Sequence, residues 1–349
     1  MVIKIGKRNI GADYPPFVIA EMSGNHNQSL EKALEIVRAA ARAGAHAVKL
    51  QTYTADSMTI DADNESFIIS DPGSPWKGQH LYKLYQKAHT PWEWHEPVFK
   101  YCRKLGLIGF STPFDETAVD FLEKLDIPVY KIASFENNHL PLIKKVATTG
   151  KPLIISIGMA TVAELDETVR TARKAGCNEI ILMKCTSTYP AAPEDINLLT
   201  IPHLRKLFDT EVGLSDHTLG IGVSIAGVAL GATVIERHIT LSRKEGGVDS
   251  GFSIEPDEMK LLVDETLKAW QALGRVSYGT TEKEKASAKF RRSIYIVEDI
   301  KKGEKFTSKN LRIIRPGEGL SPKYYDTVLG KKASCDIKKG TSMKWELIG

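Results

Sequence analysis

At 349 residues the chain exceeds the usual size of one domain, and its 42% apolar and 26% charged content describes a folded globular protein and excludes wholesale disorder. A net charge of +4, with the lysines spread along the chain, excludes an extended basic surface for nucleic acid but leaves room for a local anion site. The four cysteines, Cys102, Cys177, Cys185 and Cys335, have neither metal-finger spacing nor the density of a secreted disulfide scaffold, which suits a reducing, cytoplasmic setting. Residues 1–10 lack the apolar run of an export signal, and the longest apolar stretch, 223–235, is too short to span a bilayer, so no membrane segment is expected.

In chain order, short β-branched runs fall at 17–21, 46–51, 108–112, 129–133, 153–157, 179–184, 212–215 and 233–238. Amphipathic patterns at 30–43, 91–105, 116–125, 163–175 and 256–273 read as helices, several stopped by a glycine such as Gly44, Gly106, Gly176 or Gly274. This alternation means a parallel sheet with right-handed crossovers. A doubly wound open sheet would share it. However, no glycine fingerprint follows the first strand and polar residues stand at nearly every strand's C-terminal end, which favours a closed (β/α)8 TIM barrel over residues 1–274. Residues 275–289 are polar and weakly patterned and read as a linker. A small β-rich domain over 290–349 follows, with an internal echo: Asp299-Ile300-Lys301-Lys302-Gly303 recurs as Asp336-Ile337-Lys338-Lys339-Gly340, each a turn.

Strand residues two apart share a face. On that basis Lys49 pairs with Gln51, Ser215 with His217 and Glu236 with His238, while Glu21, Thr112, Lys131 and Ser156 stand at or near other strand ends. Two buried lysines and two buried glutamates at one mouth are costly unless compensated, and an anionic substrate plus a cation would do so. A lone strand-end histidine is as often a hydrogen-bonded packing residue as a ligand. Two of them on adjacent strands make half a divalent-metal site, completed by water and substrate. Lys49 and Lys131, with Ser134, Ser156, Ser187 and Ser215 nearby in the pattern, suit a phosphate and carboxylate cradle better than a Schiff base. Glu21 and Asp249 alone would read as solvated caps.

Ordered motifs cover nearly the whole chain: Ala20-Glu21 with Asn25-His26-Asn27, Val48-Lys49-Leu50-Gln51, Ser111-Thr112-Pro113-Phe114, Tyr130-Lys131-Ile132-Ala133-Ser134, Ser156-Ile157-Gly158-Met159, Cys185-Thr186 with Tyr189-Pro190, Gly213-Leu214-Ser215-Asp216-His217-Thr218 and Glu236-Arg237-His238. In the tail stand Arg315-Pro316-Gly317 and the first copy of the echo. With these the chain resembles the sialic acid synthase family, in which a phosphoenolpyruvate-dependent barrel precedes an antifreeze-like SAF domain. The resemblance implies a metal-dependent, carbon–carbon bond-forming transferase. Lys49, Thr112, Lys131, Ser134, Ser156 and Ser215 would hold phosphoenolpyruvate; His217 and His238 would bind a divalent ion, manganese first, with magnesium or cobalt as alternatives. Glu21, Gln51, Glu136, Tyr189, Asp249 and Arg315 would face an acetamido hexose, and Glu21 and Glu236 would join the two histidines as catalytic groups. Ser187 stands where neuraminate synthases carry Asn, which leaves its phosphate contact open. A domain-swapped homodimer is also implied, with Arg315 reaching the neighbouring subunit's sugar.

Met22-Ser23-Gly24, Leu81-Tyr82-Lys83-Leu84-Tyr85, Thr90-Pro91-Trp92-Glu93-Trp94-His95 and Gly246-Gly247-Val248-Asp249-Ser250-Gly251-Phe252-Ser253 resemble the pseudaminic acid branch. That branch implies a 2,4-diacetamido-2,4,6-trideoxy-altrose as the sugar, against the neuraminate and legionaminate branches, a class I aldolase, or a non-catalytic carbohydrate-binding protein. For Trp92 and Trp94, helix packing is the expectation ahead of sugar contact.

Overall fold

In the computed structural model, which describes residues 2–349, the chain divides into two units, the first ending at Gly274 and the second running from Arg275 to Gly349. The first opens with an antiparallel hairpin, β1 (Ile3–Ile5) and β2 (Arg8–Ile10). It continues through β3 (Phe17–Glu21), β4 (Ala47–Thr52), β5 (Ile108–Pro113), β6 (Tyr130–Ile132), β7 (Leu153–Ser156), β8 (Ile180–Cys185), β9 (Glu211–Ser215) and β10 (Val234–His238). Strands β3 to β10 pair in parallel in sequence order, and β10 closes on β3, giving the expected barrel. Their residues are buried on both faces, as in β3 where every residue is buried, because side chains fill the interior and helices cover the outside.

The helix Leu30–Ala43 is typical of that cover. Ser29 caps it by accepting from Lys32 N at 3.2 Å, and Ala33, Ile36, Val37 and Ala40 form one buried stripe at helical spacing. Gly44 ends it at φ 84°, a left-handed conformation that costs glycine little. Cutting Ile36 back to Ala would cost about 2–5 kcal/mol in this packed layer. The apolar stretch 223–235 resolves into the helix Gly222–Ala229 followed by β10. Ile3, Ile5 and Ile10 of the hairpin join the barrel core, and Gly6 packs against Ile108 at the start of β5. The hairpin therefore meets the N-terminal end of the barrel and leaves the C-terminal mouth to the loops.

Trp92 and Trp94 pack within this layer. The Trp92 ring lies 4.7 Å from Phe121, and Trp94 meets His26 edge-on at 5.5 Å.

In the second unit, residues 275–289 carry one short helix, Lys285–Ala288, and β11 (Ser293–Ile296) pairs with β12 (Leu311–Ile314) over a small core that includes Ile294, Ile300, Phe306 and Ile337. The two copies of the echo clasp each other. Asp299 accepts from Lys339 N at 2.8 Å while Asp336 accepts from Lys302 N at 2.9 Å, and Ile300 bridges Ile337. Among the described residues, no helix is long and apolar enough to cross a membrane.

Candidate active site

Barrel closure brings together residues far apart in sequence. Register sets Glu21 beside both Lys49 and His238, and Glu236 beside Ser215. Lys49 Nζ contacts Glu21, donates to Thr112 Oγ1 at 3.2 Å and lies 3.5 Å from Glu236; Lys131 Nζ lies 3.3 Å from the same Glu236 oxygen, which also accepts from Ser215 at 3.2 Å. All four charged side chains are at most 4% exposed. The lysines and glutamates thus compensate one another directly, a change from the expectation that substrate and cation alone would do so. Charge balance within the cluster is what makes such deep burial tolerable before any ligand binds.

Burial pushes the Glu21 carboxyl up to about 7 against the pull of Lys49. Burial acts to raise Glu236 too, but Lys131 and Lys49 outweigh it and hold it below its ordinary value. Lys49 is pulled down by burial yet ends above its usual range because Glu21 and Glu236 flank it, whereas burial prevails at Lys131 and lowers it. One carboxylate of the cluster therefore stays ionised while the other sits where protons exchange near neutrality.

The two histidines meet at the same mouth, with ring centroids 5.3 Å apart. His217 Nδ1 donates to the Thr186 carbonyl at 2.9 Å, which leaves Nε2 for another partner. Burial favours a neutral His217, but Cys185, whose Sγ is 3.9 Å from Nδ1, outweighs it and raises the imidazole. Burial holds His238 well below its ordinary value, hence neutral, and its Nδ1 is buried without a hydrogen-bond partner, 4.0 Å from Asp249. Ser23 donates to Asp249, whose carboxyl burial raises. Among the described residues, no three His, Cys, Asp or Glu side chains form a complete metal cage.

A cradle of polar groups adjoins the histidines, with Ser187 Oγ 3.9 Å from the same Cys185 Sγ. Ser134 Oγ accepts from Gly158 N at 3.2 Å; a Cβ on Gly158 would stand 2.7 Å from Ser134 Oγ and would collide with Ser187 Oγ. Ser187 therefore joins Ser134 in a cradle that only glycine keeps open, and Ser156 Oγ is buried without a partner. Gln51 is half-buried and in register with Thr112, and the half-buried Glu136 carries an unpartnered Oε2 and is pushed up to about 7 by burial. Tyr189 packs on His217 at 4.5 Å between ring centroids. Arg315 is exposed just past β12 in the second unit.

Sequence reasoning missed three features. Cys185 stands in a quoted motif without a role of its own; its register with Ser215 is what sets it beside His217. Phe252, 5.0 Å from the His238 ring, and Trp76 come from loops without periodicity. The buried pair of Arg237 and Asp216 lies in quoted motifs, where the alternation along β10 could have placed Arg237 on the outer face.

The chain matches the NeuB family over residues 36–278 and the SAF domain over residues 291–348. It is 45% identical to the pseudaminic acid synthase of Campylobacter jejuni over 96% of this chain and 97% of that one, and 43% identical to the Helicobacter pylori pseudaminic acid synthase over 94% and 96%. Among solved structures, the N-acetylneuraminic acid synthetase of Leptospira borgpetersenii, in complex with citrate, superposes with a TM-score of 0.73 at 30% identity, covering 82% of this chain and 95% of that one. With a family match across most of the barrel and full-length relatives well above 30% identity, the chain belongs to the NeuB family.

Proposed function

We propose that this chain condenses phosphoenolpyruvate with 2,4-diacetamido-2,4,6-trideoxy-β-L-altropyranose and water, giving pseudaminic acid and phosphate, as a cytoplasmic homodimer. The observation that carries the chemistry is the cluster of Lys49, Lys131, Glu21 and Glu236 beside two imidazoles and an open seryl cradle. The choice of sugar is supported by the names and identities of the Campylobacter and Helicobacter relatives.

Lys49 and Lys131 would supply positive charge to the carboxylate and phosphate of phosphoenolpyruvate, with Ser134, Ser187 and Gly158 receiving an anionic end. The phosphoenolpyruvate methylene forms a bond to the aldehyde carbon of the open-chain sugar, water adds to the phosphoenol carbon, and phosphate leaves as the ketone forms. Glu21, whose carboxyl burial raises to about 7, would exchange a proton with that water or with the aldehyde oxygen, while the ionised Glu236 would stabilise positive charge at the phosphoenol carbon. Two imidazoles, one with an orphaned buried nitrogen, fit a divalent cation, so His217 and His238 would hold manganese, magnesium or cobalt. When bound, such an ion supplies Lewis-acid polarisation of the aldehyde oxygen.

Phosphate release measured with the diacetamido sugar and with N-acetylmannosamine in parallel tests this reading. Preference for the former is expected; equal or better use of N-acetylmannosamine would move the chain to the neuraminate branch. Exhaustive chelation should stop release and manganese restore it, and full turnover by a verified metal-free sample would remove the ion from the reading.

A further inference from the structure

We propose that Trp76 is a specificity-determining residue, forming with Tyr189 and Phe252 an aromatic wall that receives the methyl groups of the sugar. This rests on the reaction proposed above and names what selects its substrate. Residues 53–107, between β4 and β5, are the longest excursion between consecutive barrel strands. Within it residues 59–80 run from the helix Ala55–Met58 to the helix Leu81–Ala88 with only the short turn Glu65–Phe67 between, a length of irregular loop that in a compact domain is usually functional. It reaches across the mouth to the loop after β10, where Trp76 Nε1 donates to Val248 O at 2.9 Å. Its ring lies 5.6 Å from Tyr189 and 6.4 Å from Phe252, and those two rings are 5.0 Å apart. Tyr189 and Phe252 in turn pack on His217 and His238 at 4.5 and 5.0 Å, so the wall is continuous with the reacting end of the site.

Between these rings, Leu84, Pro190 and Val248 lies a cavity of about 430 Å³, within the range of small-molecule sites. Gln79, Lys87 and Ser250 also line it, so the cavity offers polar groups to amides and hydroxyls beside an aromatic and aliphatic wall that can hydrogen-bond a sugar hydroxyl poorly but can receive a methyl group. A diacetamido-trideoxy hexose presents three methyl groups: one at C6 and one on each acetamido group. N-acetylmannosamine has a single methyl and carries hydroxyls at C4 and C6. The wall therefore favours the first sugar by apolar contact and disfavours the second by leaving hydroxyls facing rings.

Wild type, W76A and W76F are compared for kcat and KM with both sugars and with phosphoenolpyruvate. In W76A, kcat/KM for the diacetamido sugar should fall about 10- to 100-fold, the range expected for losing contact with a methyl-sized group. Its preference over N-acetylmannosamine should shrink, and KM for phosphoenolpyruvate should stay within about twofold, since the seryl cradle is untouched. W76F keeps a ring but loses the hydrogen bond to Val248, and should recover most of the loss. Unchanged sugar KM and preference in W76A, or W76F as impaired as W76A, would overturn the wall while leaving the proposed reaction standing. If wild type itself prefers N-acetylmannosamine, the proposed reaction fails first and the assignment of the wall to methyl groups falls with it.

Discussion

Arg237 and Asp216 form an ion pair at 2.7 Å with side chains 1% and 0% exposed, on the far side of β10 from Glu236 and His238. The same guanidinium donates to Thr218 O at 2.7 Å, and Asp216 accepts from Thr218 N at 2.9 Å and from Ser224 Oγ at 2.5 Å. A residue on β10, between Glu236 and His238, thereby fixes the turn that carries His217.

Removing one partner leaves an uncompensated buried charge, so R237M and D216N should each lose about 3–5 kcal/mol of stability. The double variant R237M/D216N should lose clearly less than the sum, because neither charge is then stranded. Urea denaturation of the four proteins completes the cycle. Strictly additive losses would show that the pair is not coupled.

Gly158 is where the cradle is most exposed to a small change. The methyl of G158A must displace Ser134 or Ser187, whose hydroxyls occupy that space, so KM for phosphoenolpyruvate should rise by about tenfold or more while the sugar KM changes little. An unchanged phosphoenolpyruvate KM would place the anionic end elsewhere.

The barrel was legible because each strand is a short apolar run bounded by turn residues, and every observed strand lies within one residue of an expected boundary. The inward pairs were legible for the same reason: Lys49 with Gln51 and Glu236 with His238 follow from period-two alternation. What could not be read was which charges meet. Lys131 and Glu236 are 105 residues apart and join only because the barrel closes. The helix Gly222–Ala229 was hidden because it is apolar nearly all round, so no stripe distinguished it from the strand that follows. The hairpin Ile3–Ile5 with Arg8–Ile10 alternates charge and Ile over too few residues to announce itself. Trp76 acquires meaning only through Val248, which no periodicity links to it.

Glu136 gives a pH signature. Burial raises its carboxyl from 4.5 to about 7, so the folded state holds a proton that the unfolded state releases. A raised carboxyl favours the fold below pH 4.5, loses that contribution as pH climbs to about 7, and contributes nothing further above. E136Q removes this dependence. Relative to wild type, it should gain about 2–3 kcal/mol of stability between about pH 4.5 and 8, read from urea midpoints at both ends. A constant difference across that range would mean that Glu136 is ionised and solvated in the folded protein.

Arg315 stands exposed past β12, in the unit that begins at Arg275, and an exposed arginine there would ordinarily be a solvated charge. The proposed homodimer gives it a different task, contacting the sugar held by the neighbouring barrel. Losing a charge-assisted contact to substrate should cost R315A about 2–5 kcal/mol, or roughly 30- to 5,000-fold in kcat/KM. Position within the dimer is tested by complementation between H238A and R315A, each severely impaired alone, under conditions that exchange subunits. If Arg315 acts in trans, every mixed dimer contains one barrel with both histidines that is capped by the intact arginine of its neighbour. Random mixing makes half the dimers mixed, each with one working site of two, so activity should return to about a quarter of wild type. If Arg315 acts within its own subunit, each site keeps one lesion. A mixture that gains nothing over the two variants alone after exchange has been verified by mass or label would end the domain-swap proposal.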